Sequence, residues 1–261
     1  MSSIVTDRGL VHYEAYGRGR PVILLHCWMG SWNYWLSTME FLSDRYKTYA
    51  LDFWGFGESA KNSSQYNVPD YVEMVTQFME RLGIQKAPVM GHSMGGTVSL
   101  SLTLKHPERV QKVAVVGSPI AGEGLALLLK LAAKRPLAAL AYNIPGVLPL
   151  GMRLISPFWT RDWKTWYAMF AEDLSRTTMH SFHYSIASLR DTNLTPDLER
   201  IKVPVLGIYG EIDRIVNPGQ GELISEHVSR SQVAYFEESG HFPMLDERER
   251  FHQTLKEFLD D

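Results

Sequence analysis

The chain has 261 residues, which suits one large α/β domain or a core carrying an insert better than two independent domains. Hydrophobic residues make up 45% of it, so a disordered chain is excluded, and no run nears the roughly 20 apolar residues needed to span a bilayer. Its net charge is −3 with acids and bases interspersed, which leaves no basic stripe for nucleic acid, and its one cysteine, Cys27, rules out an internal disulfide. Residues 1–9 show no apolar run after a basic patch, so no signal peptide is expected, and with a lone cysteine the expected setting is cytoplasmic.

The first third alternates strand and helix signals. Leu10–Tyr16 alternates and meets the turn Gly17-Arg18-Gly19. Pro21–Leu25 is a continuous apolar run, as in a strand covered on both faces. Ser31–Ser43 has helical spacing, and Lys47–Phe53 is the next strand. Val68–Leu82 is a helix that Gly83 can stop. Ala87–Met90 is a short strand, Met94–Lys105 a helix ending before Pro107, and Val110–Val116 another strand. Such alternation implies a mostly parallel α/β sheet flanked by helices.

The pattern then breaks. Residues 119–195 contain no convincing strand; Leu125–Lys134 and Leu137–Tyr142 are helix-like, with Pro145, Pro149 and Pro157 interrupting. Alternation resumes with a strand at Val203–Tyr209, a helix at Gly219–Val228, a strand at Gln232–Phe236 and a helix at Glu247–Leu259. The expected organisation is a core of residues 1–118 and 196–261 interrupted by a helical insert over 119–195.

Gly91-His92-Ser93-Met94-Gly95 lies between an apolar strand and a helix. A serine projected from such a sharp turn needs neighbours without bulky Cβ groups, and Gly91, Gly95 and Gly96 meet that need. The competing reading is a plain glycine-rich turn. A serine nucleophile also needs a general base, usually a histidine held by a carboxylate. Both occur at later strand ends: Asp213 after Val203–Tyr209, and His241 after Gln232–Phe236. Taken singly, Asp213 reads as a turn acid and His241 as a surface histidine; Glu211 and Glu238 are rival acids.

With the order Ser93, Asp213, His241, the chain resembles the α/β-hydrolase family over nearly all its length. Gly210-x-x-Asp213-x-x-Val216 resembles the family's acid loop, and Gly240-His241-Phe242-Pro243 its histidine loop. Asp52-Phe53-Trp54-Gly55-Phe56-Gly57-Glu58-Ser59 resembles a third family segment, in which Asp52 reads as a turn-stabilising acid. The resemblance implies a triad of Ser93, Asp213 and His241. It also implies an oxyanion hole from the backbone N–H groups of Met94 and Trp28. One departure stands out: the family's His-Gly-x becomes His26-Cys27-Trp28, and cysteine cannot adopt positive φ as freely as glycine. A rearranged loop is therefore expected there. His26 reads as a structural hydrogen-bonding residue and Cys27 as a small buried thiol rather than a second nucleophile.

The insert falls where the family places a helical cap. Trp159, Trp163, Trp166, Tyr167, Phe170, Phe182 and Tyr184 suit both an apolar substrate and the cap's own core, the latter for most of them. Leu125–Lys134 could touch a lipid interface, but reads first as a helix resting on the core. His180 and His183 lack a third ligand, and the chemistry calls for no metal and no cofactor. The resulting expectation is hydrolysis of a small to medium, apolar carboxylic ester through an acyl-enzyme, with a small molecule as partner. A serine at the elbow argues against the family's aspartate-nucleophile dehalogenases and epoxide hydrolases. Carbon–carbon hydrolysis of ring-cleavage diketones stays open on the same residues. So do thioester, lactone and monoacylglycerol hydrolysis, and a non-turnover ligand sensor.

Overall fold

The computed structural model describes residues 2–62 and 66–261. Its centre is an eight-stranded sheet: β1 (Ser2–Thr6), β2 (Gly9–Gly17), β3 (Arg20–Leu25), β4 (Tyr46–Leu51), β5 (Ala87–His92), β6 (Val110–Val116), β7 (Val205–Gly210) and β8 (Ser231–Phe236). Their spatial order is β1-β2-β4-β3-β5-β6-β7-β8. β1 and β2 pair antiparallel, as do β2 and β4; every pairing from β4 through β8 is parallel. The middle strands are the continuous apolar runs of the sequence, and β5 and β7 are buried at every residue. This is the mostly parallel sheet that the alternation implied, in the α/β-hydrolase arrangement that the resemblance implied.

Helices α1 (Leu36–Leu42), α2 (Val68–Arg81) and α3 (Met94–Lys105) connect the first parallel strands. α2 starts where its sequence dictates: Asn67 and Asp70 form a reciprocal capping box, with Pro69 in the first turn. Ser31–Ser43 is not one helix, because a 3₁₀ turn over Trp32–Trp35 precedes α1. β1 is an addition to the sequence-based elements. Its five residues carry too little alternation to register, and antiparallel pairing with β2 recruits them.

Between β6 and β7 lie α4 (Leu127–Ala132), α5 (Arg135–Asn143), α6 (Val147–Ile155), α7 (Trp163–Ser175) and α8 (Met179–Asp191). Pro149 does not interrupt α6. It sits in the first turn, where backbone N–H groups have no helical partner. α8 carries its own capping box, Thr178 with Ser181. The Ser181 hydroxyl also donates to the Gly55 carbonyl, tying α8 to the loop after β4. The chain then completes β7, α9 (Gln220–His227), β8, α10 (Pro243–Asp246) and α11 (Arg248–Asp260). No helix among the described residues is long and apolar enough to cross a membrane.

Candidate active site

Parallel strands carry their ends to one edge, so the loops after β3, β5, β6, β7 and β8 converge. Ser93 follows β5 and precedes α3. Its backbone has φ +52°, ψ −116°, and its amide donates to the Val116 carbonyl at 2.8 Å. A non-glycine residue holds such a conformation only when its surroundings enforce it. The glycines show how. A Cβ on Gly91 would lie 2.1 Å from the Gly95 carbonyl oxygen, and one on Gly95 would lie 2.3 Å from that of Leu25.

His241 and Asp213 meet after β8 and β7. His241 Nδ1–H donates to Asp213 Oδ2 at 2.7 Å, with both side chains buried. The other carboxylate oxygen accepts the Ile215 and Val216 backbone N–H groups, at 2.7 and 3.0 Å. Both oxygens are therefore committed and the carboxylate cannot turn. His241 is held from behind as well. Its amide donates to the Trp159 carbonyl (2.9 Å), and its carbonyl accepts from His92 Nε2 (2.8 Å). Glu211 and Glu238, the rival acids, do not join this pair. Both are exposed, and Glu238 pairs with Arg161 at 2.5 Å.

Ser93 and His241 line one cavity, together with Cys27, Trp28 and aromatic residues of the intervening helices, notably Trp159, Trp166 and Phe170. A larger, almost wholly apolar chamber of ≈ 300 Å³ adjoins it. Trp28, Leu129, Met152 and Trp159 line both. That size lies within the range of small-molecule pockets. Among the lining residues of the two spaces there is no lysine or arginine.

The loop after β3 brings Trp28 to this cavity. Its indole N–H donates to the Phe182 carbonyl of α8 at 3.0 Å. Neither the Trp28 nor the Met94 backbone N–H donates to another group among the described residues. Cys27, expected to strain the loop, is not left-handed; that conformation falls on Met29, φ +58°. Cys27 is buried, and burial pushes its thiol well above the ordinary range, as suits a packing thiol. His26 is a scaffold: Nδ1–H donates to the Cys27 carbonyl (2.6 Å) and Nε2 accepts the Phe53 amide (2.9 Å). Burial lowers its pKa to about 4, so the ring is neutral. Asp52 holds the neighbouring turn by accepting the Trp32 and Glu58 amides.

Four groups at the site were not read from the sequence. His92 supports the His241 backbone, and burial drives its pKa far below the usual histidine range. Gly117, at φ +51°, closes over the pair: a Cβ there would lie 3.1 Å from His241 Nδ1. A glycine directly after an apolar strand run, a place where positive φ is common, was the available signal. Trp159 supplies a carbonyl, which carries no sequence signal. Asp173 of α7 is buried, and desolvation raises its carboxyl to about 7, the Ser31 hydrogen bond opposing.

This fold and these groups define a hydrolase of the α/β type. A family model of the alpha/beta hydrolase fold matches residues 20–148. The chain is 26% identical to the pimeloyl-[acyl-carrier protein] methyl ester esterase of Vibrio campbellii, covering 95% of this chain and 98% of that one. It is also 26% identical to the 2-hydroxy-6-oxo-6-phenylhexa-2,4-dienoate hydrolase of Comamonas testosteroni, covering 96% and 91%. The enol-lactonase of Burkholderia xenovorans LB400 shares the fold at a TM-score of 0.87, with 20% identity and full coverage of both chains.

Proposed function

We propose that the protein is a serine hydrolase of carboxylic esters with an apolar acyl or alcohol portion. Ser93 is the nucleophile, His241 takes and returns its proton, and Asp213 fixes the His241 ring. The carrying observation is that Ser93 shares a cavity with a histidine whose Nδ1–H is held by a fully committed carboxylate. That bond places the free lone pair on Nε2, the tautomer a general base requires. The carbonyl carbon is attacked by Ser93 Oγ, and its oxygen gathers negative charge. The unengaged N–H groups of Met94 and Trp28 receive it. The alcohol departs with the proton from His241, and water, deprotonated by the same ring, releases the acid.

Residues 119–195 act as a cap over this edge, leaving residues 1–118 and 196–261 as the core. The apolar second chamber suits a hydrocarbon chain. A ring-cleavage dienoate carries a carboxylate, and neither space offers a cationic side chain to receive it, so the ester reading is preferred over carbon–carbon cleavage. The buried, unpaired Cys27 supports a reducing, cytoplasmic setting.

Purified protein assayed on p-nitrophenyl esters of graded chain length tests the proposal. Turnover, and labelling of Ser93 by a fluorophosphonate probe, are expected. Ser93→Ala and His241→Ala each lower kcat/KM by more than about 100-fold. Absence of both turnover and labelling would overturn it.

A further inference from the structure

The helices over the second chamber display apolar residues outward as well as inward. On α6, Val147, Leu150 and Leu154 are 44%, 60% and 65% exposed, one stripe at i, i+3, i+7, while Leu148 and Met152 point inward. On α5, Leu137 and Leu140 are 41% and 56% exposed at i, i+3, and Ile144, the extended residue just past its end, is 43% exposed. On α4, Leu127 is 71% exposed. The three surfaces converge, because Leu128, Leu137 and Val147, all exposed, rim the mouth of the same chamber. Isolated exposed leucines are ordinary; a contiguous set around a pocket mouth marks an interaction surface.

Charge selects the occupant. From Gly124 to Arg161 the chain has five of its 26 Lys and Arg residues and none of its 29 Asp and Glu residues. The rest of the molecule is therefore markedly acidic. Arg161 pairs with Glu238, but Lys134, Arg135 and Arg153 are exposed and form no ion pair among the described residues. A second copy of this chain would set like charges against each other across a two-fold axis. An acidic protein would satisfy the cations but leave an apolar ring around the mouth without a hydrocarbon counterpart. An anionic bilayer satisfies both, because its headgroups meet the cations and its acyl chains meet the leucines.

We propose that the outer face of α4–α6 docks on an anionic lipid bilayer, with the chamber mouth toward the hydrocarbon. Delivery of lipid-soluble esters to Ser93 through that mouth follows, and this consequence rests on the ester-hydrolase reading; docking itself does not.

Flotation with vesicles of phosphatidylglycerol and phosphatidylcholine, against phosphatidylcholine alone, tests docking. Native protein and Ser93→Ala are both expected to float with the anionic vesicles and to be released by high salt. Lys134→Ala and Arg153→Ala each weaken binding about fivefold. The combined Leu140→Ser, Leu150→Ser, Leu154→Ser variant loses vesicle binding while its turnover of a short soluble ester is unchanged, which shows that it is folded. These three leucines do not line the chamber. Several results would overturn the proposal: native protein remaining soluble with both vesicle types, the leucine variant floating as well as native, or the face being occupied instead by a second copy or by an acidic protein. Vesicle binding with no ester turnover would sink the ester reading and leave docking standing.

Discussion

Replacing Asp213 by asparagine should invert the His241 tautomer while keeping the fold. In the native site, Oδ1 accepts two backbone N–H groups, from Ile215 and Val216, and Oδ2 accepts His241 Nδ1–H. An asparagine must choose which end carries its oxygen. If the NH₂ faced the two amides, three donors would confront one another in a buried pocket, leaving at least two unsatisfied at about 1–3 kcal/mol each. The oxygen therefore stays with the amides and the NH₂ faces His241. The ring then accepts at Nδ1 and carries its proton on Nε2, where it can no longer take one from Ser93. Loss of a correctly held tautomer costs about 10⁴ in kcat, or about 5.5 kcal/mol of activation free energy. Because asparagine preserves shape, keeps two of the three bonds and reverses the third, the thermal midpoint should change far less than activity. The assay is kcat on a short p-nitrophenyl ester beside thermal unfolding. A fall of less than tenfold, with the fold intact, would refute the tautomer argument.

Asp173 should make stability depend on pH. Its carboxyl is raised from an ordinary value near 3.8 to about 7, so the native state keeps a proton that the unfolded chain releases. That contribution is fully present below about pH 4 and is lost as pH rises through about 7, by up to ~4 kcal/mol. Asp173→Asn should raise the urea midpoint at pH 8 much more than at pH 4; parallel pH profiles for the two proteins would count against it. Gly91→Ala drives a Cβ to 2.1 Å from the Gly95 carbonyl oxygen and should abolish both folding yield and activity. Gly83→Ala meets nothing within 4 Å and carries only the left-handed backbone cost of about 1–2 kcal/mol. Equal unfolding midpoints for these two would show that the crowding at the elbow has been overestimated.

Where the sequence was legible, steric demand was local. The glycines around Ser93 occupy the turn they were read to occupy, and α3 and β6 have the bounds their patterns suggested. Asp213 and His241 could be named because each ends a strand, and the parallel sheet brings those ends together. What escaped is made of partnerships without a local imprint. His92 and His241 are 149 residues apart, and the bond uses a carbonyl, which every residue possesses. α7 and α8 hid behind aromatic residues that serve packing between the helices and the core, so no single helical period dominated. The exposed leucines of α4–α6 escaped for the opposite reason. Apolar spacing announces a helix but not which apolar stripe meets protein.

The loop after β3 shows how a substitution can move a steric demand without removing it. Glycine in the middle of a His-Gly-x run suggests that this position needs conformational freedom, which made Cys27 look like a source of strain. Yet the left-handed residue is Met29, two positions on. The place intolerant of a side chain is Gly30, where a Cβ would lie 2.9 Å from Cys27 Sγ itself. The thiol thus fills the space that Gly30 leaves, and the Gly30 amide closes the turn on the Cys27 carbonyl at 3.1 Å. His26 Nδ1–H reaches that same carbonyl. Two donors on one oxygen fix the peptide joining Cys27 to Trp28, the peptide whose N–H is proposed to receive the oxyanion. In this chain the loop is therefore held by a packed thiol and a neutral histidine.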